Sequence, residues 1–183
     1  MIRDLDGRKM SKSLGNSPNP LWLINGATPE DMGEFAKSNP SYQNGVPAYG
    51  ADAIRMTMVY STPLGGDVRF DHTSVELGQK FSNKLWNASR FVLMNIDDEQ
   101  ELLPFAEISA DDLQLEDRWI LSRLNHTIAA MEKSMHDFRL NESTHDLYSF
   151  VWTEFCDWYV EMIKNRLYDE SNPQGQQVAR SLS

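Results

Sequence analysis

The sequence predicts a mainly α protein in two parts: an irregular, partly helical segment, then an antiparallel helical bundle. Two observations carry that reading. From residue 74 onward, apolar residues recur at steps of three and four over three long stretches, the spacing that gathers them on one helical face. Before residue 74, glycine and proline fall too close together for long regular structure. The boundaries that follow are 1–73 for the first part and 74–183 for the second.

Taken in order, residues 1–20 read as loop, followed by a short apolar element at Leu21-Trp22-Leu23-Ile24. Residues 25–48 read as loop again, punctuated by Gly26, Pro29, Gly33, Pro40, Gly45 and Pro47. A short helix is expected over 50–60, with Ile54 and Met58 on one face and Asp52 favourably placed in its first turn. Thr62-Pro63-Leu64-Gly65-Gly66 is a turn. Ser74 is the expected N-cap of a long helix reaching Ile96, with Val75, Gly78, Phe81, Leu85, Ala88, Val92 and Ile96 on its inner face. The stretch 97–115 breaks it through the charge run Asp97-Asp98-Glu99 and the stop at Pro104, with Asp111-Asp112 expected to cap the next element. A second helix is expected over Leu115–Met135, its face formed by Leu121, Leu124, Ile128, Met131 and Met135. Asn141 is the expected cap of a third, over 142–168, with a stripe of Leu147, Val151, Phe155, Trp158 and Met162 widened by Tyr148, Trp152 and Tyr159. A last segment opens at Pro173 and carries only Val178 and Leu182 before Ser183, so the bundle is expected to be truncated or to dimerise through that gap.

Composition bounds the function. With 183 residues, 40% of them hydrophobic and five Trp, the chain can bury a core. Its longest apolar runs are a few residues, against the ~20 that a membrane span needs, and Met1-Ile2-Arg3-Asp4 has no apolar stretch behind its charge. A single cysteine, Cys156, excludes an internal disulfide and a cysteine-rich zinc site; placed in an apolar helix, it reads as a small buried hydrophobe. The four histidines show no metal-ligand spacing, so no metal site is expected. The compartment implied is the cytoplasm. Net charge is −10, whereas a free-standing nucleic-acid binder carries a basic excess, so any RNA contact needs a local basic patch or surface carried by other parts of a larger protein.

A cluster of cations and hydroxyls opens the chain. Arg8-Lys9-Met10-Ser11-Lys12-Ser13-Leu14-Gly15-Asn16 packs three cations and two hydroxyls between Gly7 and Gly15. Ammonium groups meet phosphate oxygens, hydroxyls donate, and flanking glycines permit tight turns, so the segment suits a polyphosphate. A solvated basic loop explains the same composition. It is not a P-loop, because Met10 and Ser11 precede Lys12 where a glycine is required, and no Gly-x-Gly-x-x-Gly motif is present.

Lys9-Met10-Ser11-Lys12-Ser13 matches the KMSKS loop of class I aminoacyl-tRNA synthetases letter for letter. Tyr49-Gly50-Ala51-Asp52-Ala53-Ile54-Arg55 resembles the segment that follows the loop in the valine, isoleucine and leucine enzymes. Phe81-Ser82-Asn83-Lys84-Leu85-Trp86-Asn87-Ala88-Ser89-Arg90-Phe91 narrows the resemblance to the valyl-tRNA synthetases. Leu115-Glu116-Asp117-Arg118-Trp119-Ile120-Leu121-Ser122-Arg123 and Phe155-Cys156-Asp157-Trp158-Tyr159 fit that family's anticodon-binding bundle. The stretch from Pro20 to Tyr49 is longer than in many members and reads as an insertion.

The resemblance implies the end of a class I catalytic domain joined to an incomplete anticodon-binding domain. The ATP motif, valine pocket and editing domain of the family would precede Met1. It further implies that the intact enzyme activates valine with ATP and Mg2+, giving valyl-adenylate and pyrophosphate, and transfers valine to tRNA(Val). Lys12 and then Lys9 are the expected catalytic contacts to the departing pyrophosphate, within an ATP-binding set of Lys9, Met10, Ser11, Lys12 and Ser13. The segment alone is expected to be inactive and to bind no cofactor. Arg118, Arg123, Lys164 and Arg166 are candidate tRNA phosphate contacts from charge alone, and a solvated helix face accounts for each equally well. Two alternatives remain: a free-standing helical module that binds RNA or protein, and the isoleucyl or leucyl member of the same family.

Overall fold

The computed structural model describes residues 1–96 and 102–183, so the acidic run expected at Asp97-Asp98-Glu99 lies outside the described residues. The protein is mostly helical, as the sequence predicts, with a single two-stranded sheet among the described residues. It divides into two compact units, Met1–Ser82 with Ser134–His145, and Asn83–Lys133 with Asp146–Ser183.

In the first unit, β1 (Ile2–Arg3) pairs in parallel with β2 (Val68–Arg69), Ile2 opposite Val68 and Arg3 opposite Arg69. Helix α1 (Pro20–Asn25) starts where Pro20 occupies the first turn and the Asn19 side chain accepts from the Leu21 N–H. The stretch 25–48 is not the open loop its glycines and prolines suggest. Thr28 and Asp31 form a reciprocal capping box that starts α2 (Pro29–Met32), and α3 (Glu34–Ser38) and a 3-10 turn (Pro40–Tyr42) follow. Ala27 and Val46 close the module by exchanging backbone hydrogen bonds of 2.9 Å. The capped helix is four residues long and the next, which starts at Gly33 without a side-chain cap, is five, both below the length at which apolar periodicity is visible. Met32, Ala36, Tyr42 and Val46 from this module form one core with Leu23, Tyr49, Ala53, Phe70 and Val75.

Helix α4 (Ala51–Ser61) forms where expected, with Ala53 and Thr57 buried and Ile54 and Met58 packed against the core. Ser74 does not cap the next helix. It lies inside a 3-10 turn (His72–Val75) that begins at Asp71 and runs directly into α5 (Glu76–Met94), and its hydroxyl donates to the Asp71 carbonyl at 2.6 Å. Val75, Gly78 and Phe81 of the expected face are buried, whereas Leu85 is exposed.

The other long helices are α6 (Leu115–His136), α7 (Leu140–Ser149), a π-helical stretch (Phe150–Tyr159), α8 (Val160–Leu167) and α9 (Pro173–Leu182). Three expectations need correction here. Asn141 is inside α7 rather than at its cap. Asp111-Asp112 do not cap α6; Asp117 turns back to accept from the Gln114 N–H at 3.0 Å, and Asp112 instead accepts from the Gln174 amide. The third helix covers its expected length, but its middle is wound to i→i+5, which moves the inward stripe. Trp158 and Met162, expected inside, are exposed, while Tyr159, Ile163 and Leu167 are fully buried with Ile120 and Ala179. On α6 the inward face is Asp117, Ile120 and Thr127, and Leu124, Ile128 and Met135 are exposed. The segment after Pro173 is a ten-residue helix capped by Asn172, with Val178 and Ala179 buried. Cys156 is buried and free, and burial pushes its thiol pKa up. Among the described residues no helix is long and apolar enough to cross a membrane.

Candidate functional site

The loop that carries Lys9 to Ser13 is the return arm of a hairpin built on β1. Residues Asp4 to Arg8 make the turn: the Gly7 N–H donates to the Asp4 carbonyl at 3.0 Å, and the Asp4 N–H to the Arg8 carbonyl at 2.9 Å. The chain then comes back antiparallel, with Lys9 opposite Arg3 and the Met10 N–H donating to the Ile2 carbonyl at 3.1 Å. A 3-10 turn (Lys12–Leu14) forms the tip. Ser11 caps it by accepting from the Leu14 N–H, and Gly15 ends it at φ 64, a left-handed conformation that glycine adopts without steric cost.

Side chains that carry no charge, Asn16 first among them, hold this loop, so charge counting does not identify them. Asn16 is only 6% exposed although it lies in a polar segment. Its Oδ1 accepts from the Ser11 N–H at 2.9 Å, and its Nδ2 donates to Asp4 Oδ2 at 2.9 Å and to the Lys9 carbonyl at 3.2 Å. One amide therefore ties the return arm to the turn. Asn39, from the 25–48 module, donates to the Gly15 carbonyl at 3.2 Å and to the Phe35 carbonyl at 2.8 Å. Met10 and Phe35 both pack against the core of this unit. The module thus braces the end of the loop.

What the loop presents is charge without a partner. Lys9 and Lys12 are exposed, and neither side-chain ammonium has a hydrogen-bond or ion-pair partner among the described residues. Ser11 and Ser13 hydroxyls lie 3.1 Å apart at the tip. Arg8, the third cation of the motif, is engaged by Asp4 and Asp6 at 2.9 and 2.8 Å. The Asp4 carboxyl is held below the usual carboxylate range, first by the Asn16 amide and then by Arg8, against an opposing push from burial. The stability this carboxylate lends is therefore complete above the ordinary value near ~3.9 and is lost as pH falls through the lowered one. The Asn16 side-chain amide resonances are expected to stay constant from neutral pH down to that range and to move only below it; movement between pH 5 and 7 would contradict the clamp.

The four cations read as RNA contacts on the helices are all committed elsewhere. Arg118 donates to the Leu113 and Ala110 carbonyls at 3.1 and 2.8 Å. Arg123 makes a two-bond fork with Glu154 at 3.0 and 2.7 Å, and Lys164 pairs with Glu161 at 2.6 Å. Arg166 is buried and grips Asp117 with both Nη atoms, at 2.8 and 2.6 Å. The Tyr148/Trp152 rings stack at 5.4 Å, with the Lys84 ammonium 4.1 Å from the Trp152 ring centre. Among the described residues no group of three or more His, Cys, Asp or Glu side chains is placed to hold a metal ion.

Residues 1–71 match the family model described as tRNA synthetases class I (I, L, M and V), and residues 117–183 match the anticodon-binding domain of tRNA ligase. A valine–tRNA ligase of Psychrobacter arcticus is 39% identical over 188 residues, covering 93% of this chain and 19% of its own. Those of Symbiobacterium thermophilum and Dehalococcoides mccartyi are 40% and 42% identical over 94% of this chain. The chain spans 16–19% of the length of these relatives. The fold is shared with the LeuRS of Agrobacterium radiobacter, solved as a ternary complex with tRNA and LeuAMS, at a TM-score of 0.61 and 20% identity, over all of this chain and 19% of that one. The loop, the helical fold and both family matches occur in one order along one sequence, and the chain belongs to the class I aminoacyl-tRNA synthetase family, in its valine–tRNA ligase group.

Proposed function

We propose that this chain supplies the mobile phosphate-binding loop and the anticodon-side helices of a cytoplasmic valine–tRNA ligase. Residues 1–73 are the end of the catalytic domain and 74–183 the anticodon-binding part. The intact ligase joins valine to ATP, releasing pyrophosphate, and passes valine to tRNA(Val). The observation that carries the reading is the pair of unpartnered cations, Lys9 and Lys12, on a loop whose base is pinned by Asn16.

When the valine carboxylate attacks the α-phosphorus, negative charge grows on the departing β- and γ-phosphates. Lys12 at the tip and Lys9 on the arm meet that charge, and Ser11 and Ser13 hydroxyls donate to phosphate oxygens or shape the tip. Because Lys9 and Lys12 have no competing carboxylate, their charge is available to the reaction without first breaking an ion pair. A contact made chiefly as charge develops lowers the barrier rather than merely tightening substrate binding. Mg2+ accompanies ATP in such chemistry, and with no suitable ligand cluster among the described residues it is assigned to no group of this chain.

The test is Lys12→Ala in the intact ligase. Adenylate formation in a rapid-quench assay is expected to slow about 10²-fold, the scale of one lost transition-state charge contact, with valine affinity nearly unchanged. Weakened valine binding at an unaltered adenylation rate would overturn the assignment.

A further inference from the structure

We propose that Arg69 is a third phosphate ligand of this site, gripping the same pyrophosphate as Lys9 and Lys12 but from the strand pair beneath the loop. The inference rests on the reading of the loop as a polyphosphate binder.

The charge census of the first unit singles Arg69 out. That unit holds nine Lys and Arg residues. Six are ion-paired: Arg3 with Asp67, Arg8 with Asp4 and Asp6, Lys37 with Glu34, Arg55 with Asp52, Lys80 with Glu76 and Arg139 with Glu142. Lys9, Lys12 and Arg69 have no partner among the described residues. In an acidic chain that satisfies its other cations, all three exceptions fall on one hairpin and the strand beside it.

Register aligns two of the three, Arg69 and Lys9, through Arg3. Arg69 stands opposite Arg3 across the parallel pair, and Arg3 stands opposite Lys9 across the antiparallel bridge. Residues level on neighbouring strands leave the same face, with strands about 4.8 Å apart, so Arg69, Arg3 and Lys9 form one row, and Lys12 follows three residues after Lys9. Arg3 is engaged by Asp67 at 2.6 Å and by the Gly7 carbonyl at 3.0 Å. The Arg69 guanidinium reaches over the same turn, its Nη2 at 4.0 Å from where a side chain on Gly7 would begin. Buried Val68 and Phe70 on either side anchor the strand and turn Arg69 outward.

The division of labour follows from mechanics. Lys12 rides on the tip of a polar loop, while Arg69 is fixed to a strand whose neighbours are core. An anion gripped by both draws the loop down onto the strand pair, and the planar guanidinium fork fits two phosphate oxygens at once where an ammonium meets them as a point charge.

Inorganic pyrophosphate titrated into the chain at low ionic strength, followed by NMR, tests this with Arg69→Gln, Arg69→Lys, Lys12→Gln and the ion-paired control Arg55→Gln, each checked for native circular dichroism. Arg69→Gln is expected to weaken pyrophosphate binding about tenfold, the scale of one charge-assisted hydrogen bond, with Arg69→Lys between it and the parent chain and Arg55→Gln unchanged. Unaltered binding by Arg69→Gln beside weakened binding by Lys12→Gln would overturn the role of Arg69 and leave the loop reading intact. If neither substitution alters binding, both fall. If Arg69→Gln weakens binding of a short RNA but not of pyrophosphate, the proposal is likewise overturned, in favour of an RNA phosphodiester.

Discussion

Replacing Asp117 by alanine is expected to destabilise the second unit by about 3–5 kcal/mol, the scale of removing one partner from a buried ion pair. Asp117 is fully buried and accepts from four donors: both Nη atoms of Arg166, the Tyr159 hydroxyl at 2.9 Å and the Gln114 N–H at 3.0 Å. Alanine leaves the Arg166 guanidinium buried at 8% exposure, with Glu116 at 3.5 Å as its nearest remaining carboxylate. It also orphans the Tyr159 hydroxyl and uncaps α6. Burial pushes the Tyr159 pKa up, reinforced by Asp117, so the phenol stays a donor. Burial opposes the Arg166 charge, and the Asp117 hydrogen bonds outweigh it. Urea unfolding monitored by amide exchange in α8 measures the loss. Asp117→Ala combined with Arg166→Met is expected to recover most of it, because no buried charge is then left alone. A loss below about 1 kcal/mol for Asp117→Ala would mean that water reaches the guanidinium and the pair is effectively a surface one.

Gly78→Val is expected to cost the first unit about 3 kcal/mol or more, at the upper end of overpacking penalties. A Cβ at Gly78 would lie 2.2 Å from the Ala53 carbonyl oxygen and 2.9 Å from its carbon, so it meets backbone rather than a side chain that can swing away. The only relief is to separate α4 from α5, which breaks the 3.2 Å hydrogen bond from the Gly78 N–H to Thr57 Oγ1 and exposes Ala53 and Thr57. Thermal melting and exchange protection of α4 amides report the effect. Gly78→Ala, with the same clash but less bulk, is expected to lose less. Native stability in Gly78→Val would show that the two helices are not in close contact at this point.

Much of the protein was legible in the sequence. The helices of α4, α5 and α6 follow from apolar spacing, since burying one face of a long helix demands that spacing whatever it packs against. The Lys9 to Ser13 loop was legible because cations and hydroxyls packed between two glycines do not suit a core. Less was legible where a polar residue goes inward. Pattern reading puts Leu124, Ile128 and Met135 inside on α6, but Asp117 must face Arg166 and Tyr159, and that requirement turns the helix. Charge alone puts Arg166 on a surface, and its pairing with Asp117 buries it instead. The short helices of 25–48 escaped because four or five residues are too few to show a period.

The sequence by itself determined the helical class, the loop, its candidate phosphate ligands and the resemblance to a family, because each depends on residues close together along the chain. The tertiary structure alone decided which cations are free. Lys12 and Arg166 look alike in sequence, yet one stands exposed without a partner and the other is locked to a carboxylate 49 residues away. It also brought Arg69 level with Arg3 and Lys9, and placed Asn39 against Gly15. Ion pairing and strand register depend on distance in space, and spacing along the chain does not encode that distance until the core has closed.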